Sequence, residues 1–430
     1  MTTLVKRQVS PHSVGESQFQ FSCVEFTIPP ELRNQIEAEI TALTPNLDLY
    51  AIWDDHKFVK LSDAELESYK CEKAHLRGLH GISKHFGEYY RFATASDVRE
   101  QLKNCKQVTQ HVPVVPQSVV ELITRLIPEV VQSLATYSDD PYTYLLVTNA
   151  PISYPFGQND DHRFQSSLFS CDRHPVAEVF ISSLLRASGH TIDAPFPGRA
   201  FAHVTPDLSK VNNNDNRVYE EESSSQEFMI HIDGANYDEY SSQVCLAVGT
   251  DDSQSATVYL HLEAALRDLA EYDAKRGKFS NEMGRQEVLE LDIFNHGPGA
   301  NSTCMNVVSA PVLFRDLDGC TRPRINMTDG RTDVREQELP KFKLSMEDVQ
   351  ESLYCLQQAF NNPQNQHIVR LKKGQVIFFS GEVPHGRTAF AVNNQEPRYV
   401  LRLRGTSKKH CELITQRQQL FGGAPRYPGM

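Results

Sequence analysis

The stretch "RYVLRLRG" (398–405) repeats with a period of two, so Arg398, Arg402 and Arg404 share one face. A two-residue period belongs to a strand, and on a barrel strand the charged face points either to solvent or into the barrel. Just upstream, "HIVRLKKGQVIFFSG" (367–381) reads as two more strands with "LKKG" as the turn between them. The rest of the chain mixes in helices. "PPELRNQIEAEITAL" (29–43) has proline at its start, and "PQSVVELITRLIPEVVQSLATY" (116–137) is helical with Pro128 dividing it. Helical signal returns at 175–187, at 258–274 and most cleanly at 345–360, where Ser345 can cap the first turn. "YTYLLVTNAP" (142–151) reads as a strand. These elements describe an α+β chain: a β-barrel or sandwich decorated by helices.

Composition narrows the function classes. The chain has 430 residues, 40% hydrophobic and 23% charged, and can bury a sizeable core without staples. Its net charge of −12 argues against nucleic acid as a partner. No apolar run of membrane-spanning length occurs, and residues 1–17 carry no apolar signal core, so neither a membrane nor secretion is expected. The nine cysteines are scattered with no CxxC pair, which fits a reduced, cytoplasmic protein without a cysteine zinc site.

The chemistry gathers around "GEVPHGRTAF" (381–390), where His385 ends the apolar run "VIFFSGEVPH" at what reads as an exposed barrel mouth. Upstream, "EFMIHIDGANYDEY" (227–240) carries His231 and Asp233, an H-x-D pair whose side chains share a face if both lie in one strand. Two imidazoles and one carboxylate form the triad that holds non-haem iron(II) with open positions for cosubstrate and oxygen. Alone, such a set is weak among 16 histidines, and a packed or surface histidine is the plainer reading of each. Arginine changes the balance. An oxygenase that uses 2-oxoglutarate needs a fixed cation for the far carboxylate, and a guanidinium offers it two parallel hydrogen bonds. Arg398 lies 13 residues past His385, on the next strand.

With these residues in view, "APVLFRDLDGCTRPRINMTDG" (310–330), the helix after it and "VRLKKGQVIFFSGEVPHGRTAFAVNNQEPRYVLRLRG" resemble the clavaminate synthase-like group of iron(II)/2-oxoglutarate-dependent oxygenases. That group includes hydroxylases of free arginine, asparagine and lysine. The resemblance implies a double-stranded β-helix (jelly-roll, cupin-like) core flanked by helices. It implies His231, Asp233 and His385 as iron ligands, and Arg398 with Thr257 as the grip on the outer carboxylate of 2-oxoglutarate. Arg402 matches an arginine that takes the α-carboxylate of an amino-acid substrate, and Ser223 or Ser224 a serine that touches the same group. Two departures stand out. Asp233 replaces the glutamate common in the group. In "RPRINMTDG", Thr328 occupies a position where members acting on cationic side chains place an acid, with Asp329 one residue later.

The implied organisation is a tail over 1–24, one oxygenase domain over 25–405 with helical insertions near 51–110 and 260–300, and a C-terminal extension over 406–430. The implied activity is hydroxylation of an unactivated C–H of a free amino acid or derivative, using iron(II), 2-oxoglutarate and O2 and releasing succinate and CO2. Two alternatives remain: the same chemistry on a carrier-tethered or peptidyl substrate, and a catalytically silent binding module, since fold does not dictate function. "FNHGPG" lacks the strand and helix context of a phosphate loop, and "NDDHR" (159–163) reads as a solvated loop.

Overall fold

Alternation along the C-terminal strands decides where the apolar cores lie. In the strand Tyr399–Thr406, Leu401 and Leu403 are buried against helices, while Val400 belongs to a second core on the opposite face. In Val376–Ser380, Phe378 joins the first core and Ile377 and Phe379 the second. A run apolar at every position is therefore a strand covered on both faces. The computed structural model describes residues 5–9, 21–43, 58–60, 64, 82–85, 88–92, 115, 117–138, 140–152, 175–193, 201–204, 228–233, 243–250, 255–279, 282–296, 308–317, 319–325, 332–388 and 399–421.

Eight strands make the larger sheet. Along its path they run Val5–Val9, Ser22–Thr27, Thr143–Thr148, Val376–Ser380, Gln243–Thr250, Tyr399–Thr406 and Thr191–Asp193, with Phe201–Val204 also on Tyr399–Thr406. Ser22–Thr27 and Thr143–Thr148 are parallel; the other pairings are antiparallel. Helices Pro30–Leu43, Gln117–Leu126, Pro128–Tyr137 and Pro175–Ala187 cover one face through Ile36, Ile123, Val130, Phe180 and Leu184. Pro128 starts its helix and so divides it from the one before, as its missing N–H requires. The smaller sheet runs Gln366–Val369, Thr257–Leu260, His385–Arg387, Phe228–His231. It packs on the free face of the larger one: Tyr259 lies 6.2 Å from Tyr144 and 4.8 Å from Phe379, ring centroid to centroid.

The chain crosses between the sheets at two tight corners. "LKKG" is a turn, but it joins strands of different sheets and makes no hairpin. Gly374 adopts φ +77° there, a conformation glycine takes without cost, and its backbone is bonded to Val248 and Ala150. Residues 381–384 form the second corner and deliver the chain to His385.

One expectation is corrected. The segment 258–274 opens as the strand Thr257–Leu260, whose β-branched and aromatic residues suit a buried sheet, before the helix Leu262–Arg276. Of the insertion near 51–110, the described residues are the antiparallel strands Phe58–Lys60, Ile82–His85 and Glu88–Phe92 and one helical residue at 64. The region near 260–300 mixes the helices Leu262–Arg276 and Arg285–Leu289 with the strand Phe294–His296. These helices pack with Met346–Asn361 around Leu269, Leu289, Phe294, Leu356 and Phe360. Ser345 caps the last helix by accepting from the Asp348 N–H at 3.1 Å. Among the described residues no helix is long and apolar enough to cross a membrane.

Gly405 lies where this strand meets the segment after helix Pro175–Ala187. A Cβ there would sit 3.2 Å from the Thr191 carbonyl oxygen and 3.3 Å from Leu185. Gly405→Ala is expected to cost about 1–3 kcal/mol through overpacking, read from urea denaturation. An unchanged midpoint would mean that the Thr191 backbone yields.

Candidate metal centre

His231 is the last residue of its strand and His385 the first of the neighbouring one, and the two are direct partners across the antiparallel pair. Their ring centroids are 4.6 Å apart. Each ring is turned back on its own chain: His231 Nδ1 lies 2.9 Å from the Met229 carbonyl oxygen and His385 Nδ1 3.0 Å from that of Val383. A carbonyl only accepts, so both Nδ1 atoms carry a proton, and the two Nε2 atoms are the ring positions left for the site. Phe379 meets the His385 ring edge-on at 5.0 Å.

Asp233 stands in a turn just past its strand, anchored by the Ile232 N–H donating to Ile325 O at 2.7 Å. It therefore reaches the site from a turn, and not as the second residue of a strand face. Its Oδ1 accepts from Arg402 Nη1 at 2.7 Å and lies 3.7 Å from His231 Nε2. Its Oδ2 is buried without a hydrogen-bond partner among the described residues. One donor atom from each of His231, Asp233 and His385 falls within 4.8 Å of the others. Burial alone would raise the Asp233 carboxyl; the Arg402 guanidinium, helped by His231, His385 and Arg404, holds it well below the usual range. Burial pushes His385 down to about 4, with His231 adding to that effect. The set is thus two imidazoles, each tied back through Nδ1, and one ionised carboxylate with an orphaned oxygen. It fits a divalent metal of borderline softness, since each nitrogen has its other ring position tied to a carbonyl.

His385 departs from the sequence reading in two ways. It opens its own three-residue strand in the smaller sheet instead of ending Val376–Ser380, and it is 7% exposed, so it is no mouth residue. Thr257 is buried in the adjacent strand, opposite Arg387 and two residues from Tyr259, which is paired with His385. Arg402 reaches Asp233 from the larger sheet. Arg398, Ser223, Ser224, Thr328 and Asp329 lie outside the described residues.

The corner that presents His385 is held by charges that no local pattern announced. Arg322 donates to both Asp316 and Glu382. Ser380 Oγ accepts from the Glu382 N–H at 3.2 Å, and His410 Nδ1 lies 3.7 Å from Glu382 Oε1. Arg404, two residues beyond Arg402 on the same strand face, adds its charge to those acting on Asp233.

No protein-family model and no curated protein matches the sequence. Solved structures do match. One is asparagine oxygenase in complex with Fe(II), 2S,3S-3-hydroxyasparagine and succinate: 14% identity over 89% of this chain and 94% of that one, TM-score 0.52. Another is the non-haem iron oxygenase OrfP with Fe, succinate and (3R,4R)-dihydroxy-L-Arg: 13% identity over 94% and 99%, TM-score 0.53. Identity at this level carries the architecture alone, and on that ground the chain has the fold of these non-haem iron oxygenases.

Proposed function

We propose that the protein is an iron(II)/2-oxoglutarate-dependent hydroxylase of a free amino acid or amino-acid derivative, one domain over 25–405 built on a double-stranded β-helix core. The observation that carries this reading is the convergence of His231, Asp233 and His385 around an unpartnered carboxylate oxygen, in a fold shared with oxygenases crystallised with iron, succinate and hydroxylated amino acids. His231 Nε2, His385 Nε2 and Asp233 Oδ2 would hold the iron. When bound, iron(II) supplies oxygen activation coupled to oxidative decarboxylation of 2-oxoglutarate to succinate and CO2.

The protein's own part is to bind and orient. Arg402 keeps Asp233 ionised and fixes Oδ1, so that Oδ2 is the free donor. A protein carboxylate at this position also leaves no vacancy for an external anion such as chloride. Only one of the five N–H donors of Arg402 is engaged with Asp233, and its side chain is 23% exposed. The remaining donors can take the α-carboxylate of the substrate. Thr257 and Arg398 are assigned to the outer carboxylate of 2-oxoglutarate, and Ser223 and Asp329 to further substrate contacts.

The test is succinate formation. Free α-amino acids should stimulate it with iron(II) and 2-oxoglutarate, and the corresponding α-amides and methyl esters should stimulate it at least about tenfold less, the worth of one lost charge-assisted pair. Equal stimulation by acid and amide would favour a tethered or peptidyl substrate. No iron-dependent succinate under any condition would leave a silent binding module.

A further inference from the structure

Pairing across the smaller sheet lines up His367, Tyr259, His385 and His231, one from each of its four strands. Partners in register point to the same face of a sheet. Here that face meets the larger sheet, which sends in Tyr144 and Phe379 to pack with Tyr259. The rings form a continuous row. From the candidate metal centre, the His385 ring meets Phe379 at 5.0 Å, Phe379 meets Tyr259 at 4.8 Å, and Tyr259 stacks on Tyr144 at 6.2 Å, centroid to centroid. All three gaps fall in the range of direct aromatic contact. At the far end the buried Tyr144 places its hydroxyl 3.3 Å from His367 Nε2.

A tyrosine gives up an electron at an accessible potential only when its phenolic proton has somewhere to go. Burial pushes the Tyr144 phenol up, with Cys23 and Glu25 adding to that effect, so at neutral pH it is a phenol and not a phenolate. Burial pushes His367 down, so at neutral pH its imidazole is uncharged and able to accept. We propose that Tyr144 is a redox-active tyrosine: His367, in its Nδ1–H form, takes the phenolic proton, and the electron passes through Tyr259 and Phe379 to an iron centre left over-oxidised when no substrate is bound. The step balances. O2 and 2-oxoglutarate leave the iron two electrons above iron(II), and one electron from Tyr144 brings it to iron(III). The O–H bond breaks, an Nε2–H bond forms, and a neutral tyrosyl radical stands beside an imidazolium. The oxidising equivalent is thereby moved away from the iron ligands. The proposal rests on the hydroxylase reading for its oxidant.

The test is freeze-quench electron paramagnetic resonance on the protein loaded with iron(II) and 2-oxoglutarate and mixed with O2 without an amino acid, with succinate measured in the same samples. An organic radical should appear, and its signal should narrow when ring-deuterated tyrosine is incorporated. Tyr144→Phe, which removes one oxygen atom, should lower the radical yield by about tenfold. His367→Gln can share a hydrogen bond but cannot take the proton, and should lower the yield as far. Tyr259→Leu should do the same by opening a gap in the row of rings, and a native circular dichroism spectrum shows that its sheets still pack. Succinate formation should match the parent in Tyr144→Phe and His367→Gln. In Tyr144→Phe, peptide mass spectrometry should find more oxygen inserted at Phe379, whose ring lies against His385. Succinate without a tyrosine radical, or a radical that survives Tyr144→Phe or the loss of His367, would overturn the relay and leave the hydroxylase reading standing. A yield unchanged in Tyr259→Leu would overturn the route. No iron-dependent succinate would overturn both readings together.

Discussion

His385→Ala is expected to reduce iron-dependent succinate formation by on the order of a thousand-fold, about 4 kcal/mol of lost transition-state stabilisation. The size follows from the donor count. Two Nε2 atoms and one oxygen converge in the parent, and the variant keeps one nitrogen and a carboxylate that Arg402 already holds on one side. Removing a ring 93% buried also opens a small void beside Phe379. Some stability is therefore lost as well, about 1–3 kcal/mol by the usual cost of a buried truncation. Circular dichroism and a calorimetric iron titration separate the two effects: the variant should show a native spectrum and no tight iron binding. Turnover within tenfold of the parent would remove His385 from the metal set.

Asp273→Ala should be the most destabilising single change among the helices packed beside the smaller sheet. Arg285 is 1% exposed, donates to Asp273 and to Glu351 at 3.2 Å, and lies 4.9 Å over the Phe279 ring. It ties the end of helix Leu262–Arg276 to helix Met346–Asn361. Deleting Asp273 removes the more buried of the two carboxylates that hold this cation, leaving only Glu351, and should cost about 3 kcal/mol. Arg285→Met should cost less, because Asp273 and Glu351 are nearer the surface and can turn to water. Urea denaturation of both variants checks the order; an equal or reversed order would mean that the packing of Arg285, and not its charge, holds these helices.

Strong local signals survived contact with the structure. Pro128 divides two helices, Ser345 caps one, and the two-residue period of "RYVLRLRG" gives its strand. The three residues that converge at the candidate site could be picked from the sequence because an H-x-D pair, a distant histidine and an arginine pattern narrowed the choice together. Their manner of meeting could not. His231 and His385 are 154 positions apart, and nothing local states that their strands are partners. "VIFFSGEVPH" reads as one run because every residue in it is buried or turning, and burial on both faces erases the periodicity that would have marked the corner at 381–384. The Arg322–Glu382–His410 contacts join three separate segments and carry no sequence spacing at all.

The order of strands in the larger sheet has a consequence for biosynthesis. Val376–Ser380 lies between Thr143–Thr148 and Gln243–Thr250, so the N-terminal strands have no sheet connection to the middle of the chain until that late segment arrives. Arg402 then comes from a strand later still. A nascent chain lacking its last tenth owns His231, Asp233 and His385 but not the cation that fixes Asp233. Such long-range pairing folds slowly, and every central pairing waits on it. On the proposed iron site, metal capture therefore waits for Tyr399–Thr406, and a chain interrupted before residue 399 leaves its half-built sheet edges open to aggregation.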